Sequence, residues 1–564
     1  MRTNERGEMR MKRMTGYPLP LGISVKDDVI NFSVAVESGK TCFLCLYHEN
    51  SDAPLERIEL TEEHAIGEVR YVALAKSDVD HMEYNYEING EFILDPYVKS
   101  VAEHENITRG KVLLDEYDWE EDMPLGIPYH DIVAYNLHVR GFTMHKSSKV
   151  KTKGTFAGVI EKITYLKDLG INQIQCMPIY AFEETSHYKN YWGYGDAHCF
   201  AIKNAYAADA DAEVELKDMV KACHKNGIEV VLYLPFTDKV SKQLIEECLR
   251  YYVMEYHIDG FVLNPYNAPM SSILSDPILK KTKILEYKDD FQNNMRSFLI
   301  GNEGTVQGVM WWVKQITKDI GCCNYITNHT GFTLNDLVSY NEKHNEDNGE
   351  NNFDGPDANF SWNCGVEGPT RKKSILELRK KQMRNAMFLL IMSQGTPCIL
   401  AGDEFANTQN GNNNVYCQDN ETSWLDWKKL EKEEQFYQYV KLLIALRRKY
   451  SVIGIDKPLL GVDKTSCGVP DVSFHGENAW QIPNQMSSKH LGVYYHHADG
   501  TDCFIAYNMH DEEQIFALPA LRKGKKWYRI LSTADAQTVE SEILMDNQKE
   551  TVVLERTIEM FIGK

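Results

Sequence analysis

The chain lacks an apolar run long enough to cross a membrane, which takes about 18 to 20 residues. Its best candidate, residues 386–401, is broken by Ser393, Gln394, Gly395, Thr396 and Pro397 and reads as a buried helix end, a turn and a strand. Positive charge is also scarce: 61 lysines and arginines stand against 82 acids, a net charge of −21. That balance argues against nucleic acid and anionic membrane surfaces and suits a soluble protein with a neutral or small ligand. No internal repeat or low-complexity segment is present. The 13 cysteines are an odd number and lack metal-type spacing. Cys322 and Cys323 are adjacent, and Cys199, Cys223 and Cys398 sit in apolar surroundings, so buried, reduced thiols are expected, with no metal and no cofactor. The basic stretch 1–14 has no apolar core behind it and does not read as a secretory signal. Together with reduced thiols, this predicts a cytoplasmic protein.

What is present is enough for several cores: 564 residues, 43% of them hydrophobic, a length that corresponds to about three or four domains. Residues 29–36 alternate apolar and polar side chains, and 41–47 follow a Gly-Lys turn, a strand pattern extending over the first 125 residues. From 131 the pattern becomes strand, helix, strand. Strand-like runs at 132–139, 172–179, 228–234, 260–264, 324–327 and 397–402 alternate with helical runs at 156–169, 213–225, 242–257 and 371–393. Such repetition over about 300 residues favours a parallel barrel over a doubly wound sheet. A helix over 434–450 leads to further strands at 491–495, 503–507 and 527–531, and the polar segment 341–359 reads as a surface loop. The expected architecture is α/β: an N-terminal β-sandwich over 1–125, a (β/α)8 TIM barrel over 126–465 and a C-terminal β-sandwich over 466–564.

Longer motifs carry more information. They are His138-Val139-Arg140-Gly141-Phe142-Thr143, Asn190-Tyr191-Trp192-Gly193-Tyr194, Asn328-His329 with Gly331-Phe332-Thr333-Leu334-Asn335-Asp336, Ser361-Trp362-Asn363-Cys364-Gly365, Gly402-Asp403-Glu404-Phe405, and the asparagine-rich run 409–420 ahead of Trp424-Leu425-Asp426-Trp427. In these the chain resembles the isoamylase-type glycogen debranching enzymes of the α-amylase family, glycoside hydrolase family thirteen. The resemblance spans nearly the whole chain. It implies a glucan-binding-type module ahead of the barrel and a closing β-sandwich behind it.

It also implies a chemistry that the residues do not supply. Retaining glycosidases need two carboxyl groups about 5–5.5 Å apart on opposite faces of the scissile bond. At the nucleophile position, ending the fourth barrel strand, stands Asn264, and the supporting arginine two residues earlier is Val262. An amide cannot take up a glycosyl group as a carboxylate can. The third family carboxylate should follow Asn328-His329, where the chain has Thr330. The acid/base glutamate should follow the fifth strand, but the long loop that carries it has collapsed. Glu286 is the nearby acid, read here as a helix N-terminal charge favoured by the macrodipole. After the third strand Tyr233, Thr237 and Asp238 stand where the resemblance implies an aspartate, an asparagine and a histidine. Losing the arginine and nucleophile together is physically coherent, because one buried charge left alone costs on the order of 3–5 kcal/mol.

Some binding residues survive. The resemblance makes Tyr194 the aromatic that stacks on the innermost sugar and His329, beside Asn328, a transition-state-binding histidine; Trp192 reads as core. Arg140 reads as structural, with Asp403 or Glu404 as partner, and 411–420 as a loop tied down by side-chain amides. Asp336, Asn341, Glu342 and His344 receive no chemical role. The leading expectation is a non-catalytic homologue of glycogen or starch metabolism that binds α-glucan or serves as partner subunit of an active paralogue. The alternatives are an active hydrolase of α-1,6 branches with a rebuilt carboxylate set, Glu286 with Asp289 or Asp238, and a scaffold that no longer binds sugar.

Overall fold

A computed structural model describes residues 2–3, 9–62, 65–104, 107–113, 116–185, 188–208, 211–316, 320–483 and 485–564. Part of the basic N-terminal stretch, Met1 and residues 4–8, lies outside the described residues. By internal packing the chain divides into two units: Met1–Glu121 with Ile179–Glu184 and Gly193–Asp218, and Asp122–Pro178 with Thr185–Trp192 and Met219–Lys564. The first unit thus also takes up two segments that the sequence pattern assigned to the barrel.

In the first unit a three-stranded antiparallel sheet (Gly22–Lys26, Val29–Ala35 and Val69–Ala75) and a six-stranded sheet share one core. The alternation seen in 29–36 sends Ile30, Phe32 and Val34 into that core, where the Phe32 ring meets Tyr84 edge-on at 5.4 Å. Period-two patterning does this because successive strand side chains point to opposite faces.

In the second unit seven parallel strands close a barrel: β1 (Ala134–Leu137), β2 (Gln173–Cys176), β3 (Glu229–Leu234), β4 (Gly260–Leu263), β5 (Lys283–Tyr287), β6 (Gly321–Asn324) and β7 (Thr396–Leu400). The fold class is the expected parallel α/β barrel, with seven of its strands formed among the described residues. Between β3 and β4 runs α1 (Lys242–Tyr256). After β5, however, α2 (Asp289–Leu299) and α3 (Val306–Trp312) follow in succession, with no strand between them among the described residues. Only Lys288 separates β5 from α2, at the point where the resemblance implies a long loop. β4 and β5 approach closely enough that a Cβ on Gly260 would lie 2.6 Å from the Lys283 carbonyl oxygen, so only glycine fits there.

Two other readings shift. The strand expected at 324–327 ends instead at Asn324, and the helix expected over 156–169 is two short ones, Phe156–Ile160 and Ile163–Leu169. The long α4 (Lys373–Ile391) and α5 (Glu434–Lys449) pack together against the ring. A six-stranded C-terminal sheet and a two-stranded one enclose Tyr494, Phe504, Phe516, Trp527 and Phe561. α4 joins it through Arg384, which donates to the Thr533 carbonyl at 2.8 Å.

Candidate functional site

In parallel barrels, ligand chemistry gathers at the carboxyl ends of the strands. There β3 to β6 surround a solvent-open cavity of about 520 Å³, which brings together Asn264, Glu286, Asn328, His329 and Thr330. Its floor is neutral and packed. Val262, 1% exposed, lies against Val231, Leu285 and Cys323, with the Tyr233 and Tyr287 rings stacked above at 5.7 Å. No arginine could sit there without displacing this layer.

The side chains at the three positions where the resemblance implies carboxylates are each engaged locally. Asn264 is exposed, and its side-chain oxygen accepts the Tyr266 backbone N–H at 3.0 Å, forming a tight turn that presents the Tyr266 ring, 93% exposed, at the rim. The Thr330 hydroxyl folds back to donate to Asn328 Oδ1 at 3.1 Å. Glu286 is ion-paired with Lys288. It stands in strand β5 and not at a helix start, which corrects its expected role as a helix N-terminal charge; Asp289 and Asp290 take the first turn of α2 instead. Asp289 accepts from the Tyr325 hydroxyl. All three acids lining the cavity thus come from the five-residue segment 286–290, while β4 and the segment after β6 contribute amides, a hydroxyl and an imidazole. Asp238, the other acid considered, is exposed on a turn and does not line the cavity.

His329 is buried and meets Trp192 and Tyr233 edge-on, both at 5.2 Å between ring centroids. Burial, with His138 nearby, pushes its imidazole down to about 3, so it is neutral. Behind it lies a small chamber of about 50 Å³ bordered by Trp192, His138 and Tyr191. His138 is neutral as well, pushed down to about 4 by burial. Its Nδ1 accepts from Gly141 N–H at 3.1 Å, which leaves Nε2 to donate to the Tyr191 carbonyl at 2.8 Å. Tyr194 belongs to the first unit, where it is half-buried.

Arg140 pairs with neither expected acid. Its guanidinium donates to Asp419 at 2.8 Å, and Asp419 also takes Lys189 at 2.7 Å and the Trp424 indole N–H at 2.9 Å. Asp403 and Glu404 are fully buried elsewhere. Asp403 accepts from Leu334 N–H at 2.8 Å and from the Thr327 hydroxyl, and Glu404 from the Tyr135 and Tyr165 hydroxyls at 2.7 and 2.5 Å. Burial pushes both carboxyls up to about 7.

A polar chain runs inside the barrel, with no counterpart in the motif reading. Tyr287 accepts from Asn136 at 3.0 Å and donates to Gln175 at 3.2 Å. Gln175 donates to Gln173 at 3.1 Å, and Gln173 to Glu229 at 3.0 Å. Glu229 closes the chain by pairing with Lys283. Buried polar groups are tolerated when they find partners, as most do along this chain; the Asn136 side-chain oxygen is the exception. Gln173 and Gln175, two residues apart on one strand of a parallel barrel, were the available signal, since that spacing points both side chains inward.

The asparagine-rich segments form a second network. Asn345, expected on a surface loop, is buried and donates to Asn413 at 2.9 Å; Asn413 donates to Asn359 at 2.8 Å, and Asn348 to the Asn414 carbonyl at 2.8 Å. These bonds tie 345–359 to 411–420 by side-chain amides. Among the described residues no group of three or more histidines, cysteines or acids is arranged to hold a metal. No described helix is long and apolar enough to cross a membrane.

Against known proteins, residues 142–238 match the α-amylase catalytic-domain family. The chain is 30% identical to isoamylase 1, chloroplastic, of Arabidopsis thaliana, over 92% of this chain and 85% of that one. It is also 30% identical to the glycogen operon protein GlgX homolog of Mycobacterium bovis, over 78% and 79%. The Arabidopsis match runs over 683 positions although the chain has 564 residues, so more than a hundred positions of the relative face gaps here. Among solved structures, the catalytic module of the pneumococcal glycogen-degrading virulence factor SpuA superposes with a TM-score of 0.77 at 17% identity, covering 97% of this chain and 98% of that one. The type I pullulanase of Bacillus subtilis complexed with maltose superposes with a TM-score of 0.76 at 18% identity, covering 98% and 86%.

Proposed function

The chain belongs to the isoamylase-type debranching family of the α-amylase glycoside hydrolases, and from that premise we propose that it is a non-catalytic member that binds α-glucan at the barrel mouth without cutting it. One observation carries this reading: every acid lining the mouth lies on segment 286–290, and Asn264, Asn328 and Thr330, which follow the strands on either side of β5, are neutral. Glycosyl transfer needs a nucleophile and a proton donor on opposite faces of one bond. Acids confined to a single segment do not bracket a sugar.

Binding is supported by the open cavity with its tyrosine-rich lining and exposed Tyr266, since aromatic faces suit the apolar faces of pyranose rings. Related pullulanase structures hold maltose and maltotetraose. In this reading Tyr194 and His329 are remnants of sugar contacts, Trp192 and Arg140 are structural, and the protein works in the cytoplasm on glycogen or a starch-like polymer, as a glucan-binding subunit beside an active paralogue.

The test is reducing-end release from glycogen limit dextrin, run beside affinity electrophoresis in glycogen gels. Retarded migration with no sugar release is expected. Turnover that Glu286→Gln abolishes would overturn the proposal in favour of a rebuilt carboxylate set, and unretarded migration would leave only a protein scaffold.

A further inference from the structure

The base of the barrel holds a cavity independent of the mouth. Strand β5 opens with Lys283 and ends with Tyr287, so the side chain at its start lies at the end opposite the glucan site. There a hollow of about 510 Å³ is framed by segment 126–129, Leu274 and segment 280–283. That volume lies within the range for small-molecule sites.

The charge of this hollow departs from that of the chain. Acids outnumber bases by 82 to 61 overall, yet three lysines and no acid line the cavity. Lys280 and Lys281 end a single turn, Leu279–Lys281, and are exposed; neither makes an ion pair among the described residues. Lys283 is buried at the start of β5 and held by Glu229, whose charge it offsets. Two adjacent uncompensated ammonium groups repel each other, and an anion between them removes that repulsion. Lysine serves phosphate as a mobile point charge. The other wall is apolar: Ile127, Pro128, Leu274 and the Tyr129 ring. A free inorganic anion makes no use of such a wall, whereas an organic skeleton does.

We propose that the base cavity binds a small organic phosphate monoester, its phosphate on Lys280 and Lys281 and its carbon skeleton against Ile127, Pro128 and Tyr129. The site lies at the end of the barrel away from the mouth, and its occupancy does not depend on whether the mouth binds or cuts glucan.

The test is isothermal titration of the full chain with glucose 6-phosphate and, separately, inorganic phosphate. Saturable binding of the ester is expected, weakened about tenfold or more in the Lys280→Ala/Lys281→Ala double variant and unchanged in Lys441→Ala, whose partner is Asp168 on another surface. Circular dichroism checks that the exposed double variant remains folded. No saturable heat, or equal affinity in the double variant, overturns the site. Inorganic phosphate binding as tightly as the ester overturns the assignment of an organic ligand.

Discussion

Val262 stands where sugar-cleaving relatives, by the resemblance, carry an arginine. It is sealed among Val231, Leu285 and Cys323. Restoring the charge alone should therefore harm the protein: Val262→Arg is expected to cost about 3–5 kcal/mol, the scale of an uncompensated buried charge, read as a lower urea midpoint. An unmoved midpoint would mean the floor is not packed as described. A second residue-scale prediction concerns His224. Its Nδ1 lies 3.0 Å from Asp122 and its Nε2 2.8 Å from Asp259, with His257 also on Asp122 at 2.7 Å. Carboxylates only accept, so both ring nitrogens carry protons and His224 is an imidazolium. Burial opposes that charge, but the bonds and charges of Asp259 and Asp122 outweigh it, and the net shift is upward. A raised folded value contributes stability that is complete below the unfolded value of about 6.5 and is lost as pH rises through the folded one. Urea midpoints across that window should fall with pH more steeply in the parent than in His224→Gln; parallel curves would remove His224 from the account.

At the scale of elements, the amide lattice between 345–359 and 411–420 replaces secondary structure as the support for the loops on this side of the barrel. Asn413 is fully buried and bonded to Asn345, Asn359 and the Pro356 carbonyl. Asn413→Leu leaves those partners unsatisfied, with an expected loss of about 2–4 kcal/mol. Faster proteolytic cleavage within 345–359, alongside a lower melting temperature, would register it; unchanged cleavage would show that the lattice is dispensable. Polarity placed 341–359 on the surface because the partners that bury its amides are more than fifty residues away, beyond the reach of any local pattern. Glu286 was misplaced for a related reason. β5 ends one residue short of the α2 N-cap at Lys288, so a strand-end residue reads as a helix cap. Strands such as Val29–Ala35, with its alternation, and Asp502–Asn508, with its short apolar run, were legible because their signals are local.

At the scale of the whole molecule, the order of β-rich part, barrel and β-rich part was readable from changes of period. The packing of Ile179–Glu184 and Gly193–Asp218 with the first unit was not, because it rests on contacts between distant parts of the chain. The net charge of −21 makes a further prediction here. In mobility-shift assays at about 0.15 M salt, where a Debye length is about 8 Å, the protein should leave duplex DNA unretarded, because its excess of acids repels the phosphate backbone; a shifted band would contradict it. The single residue between β5 and α2 has a last consequence, one of descent. Two codon changes would place acids at Asn264 and Thr330, but a proton donor facing them needs backbone that substitution does not add. On the proposed reading, recovering glucan cleavage in such a lineage takes an insertion after β5 and not point changes alone.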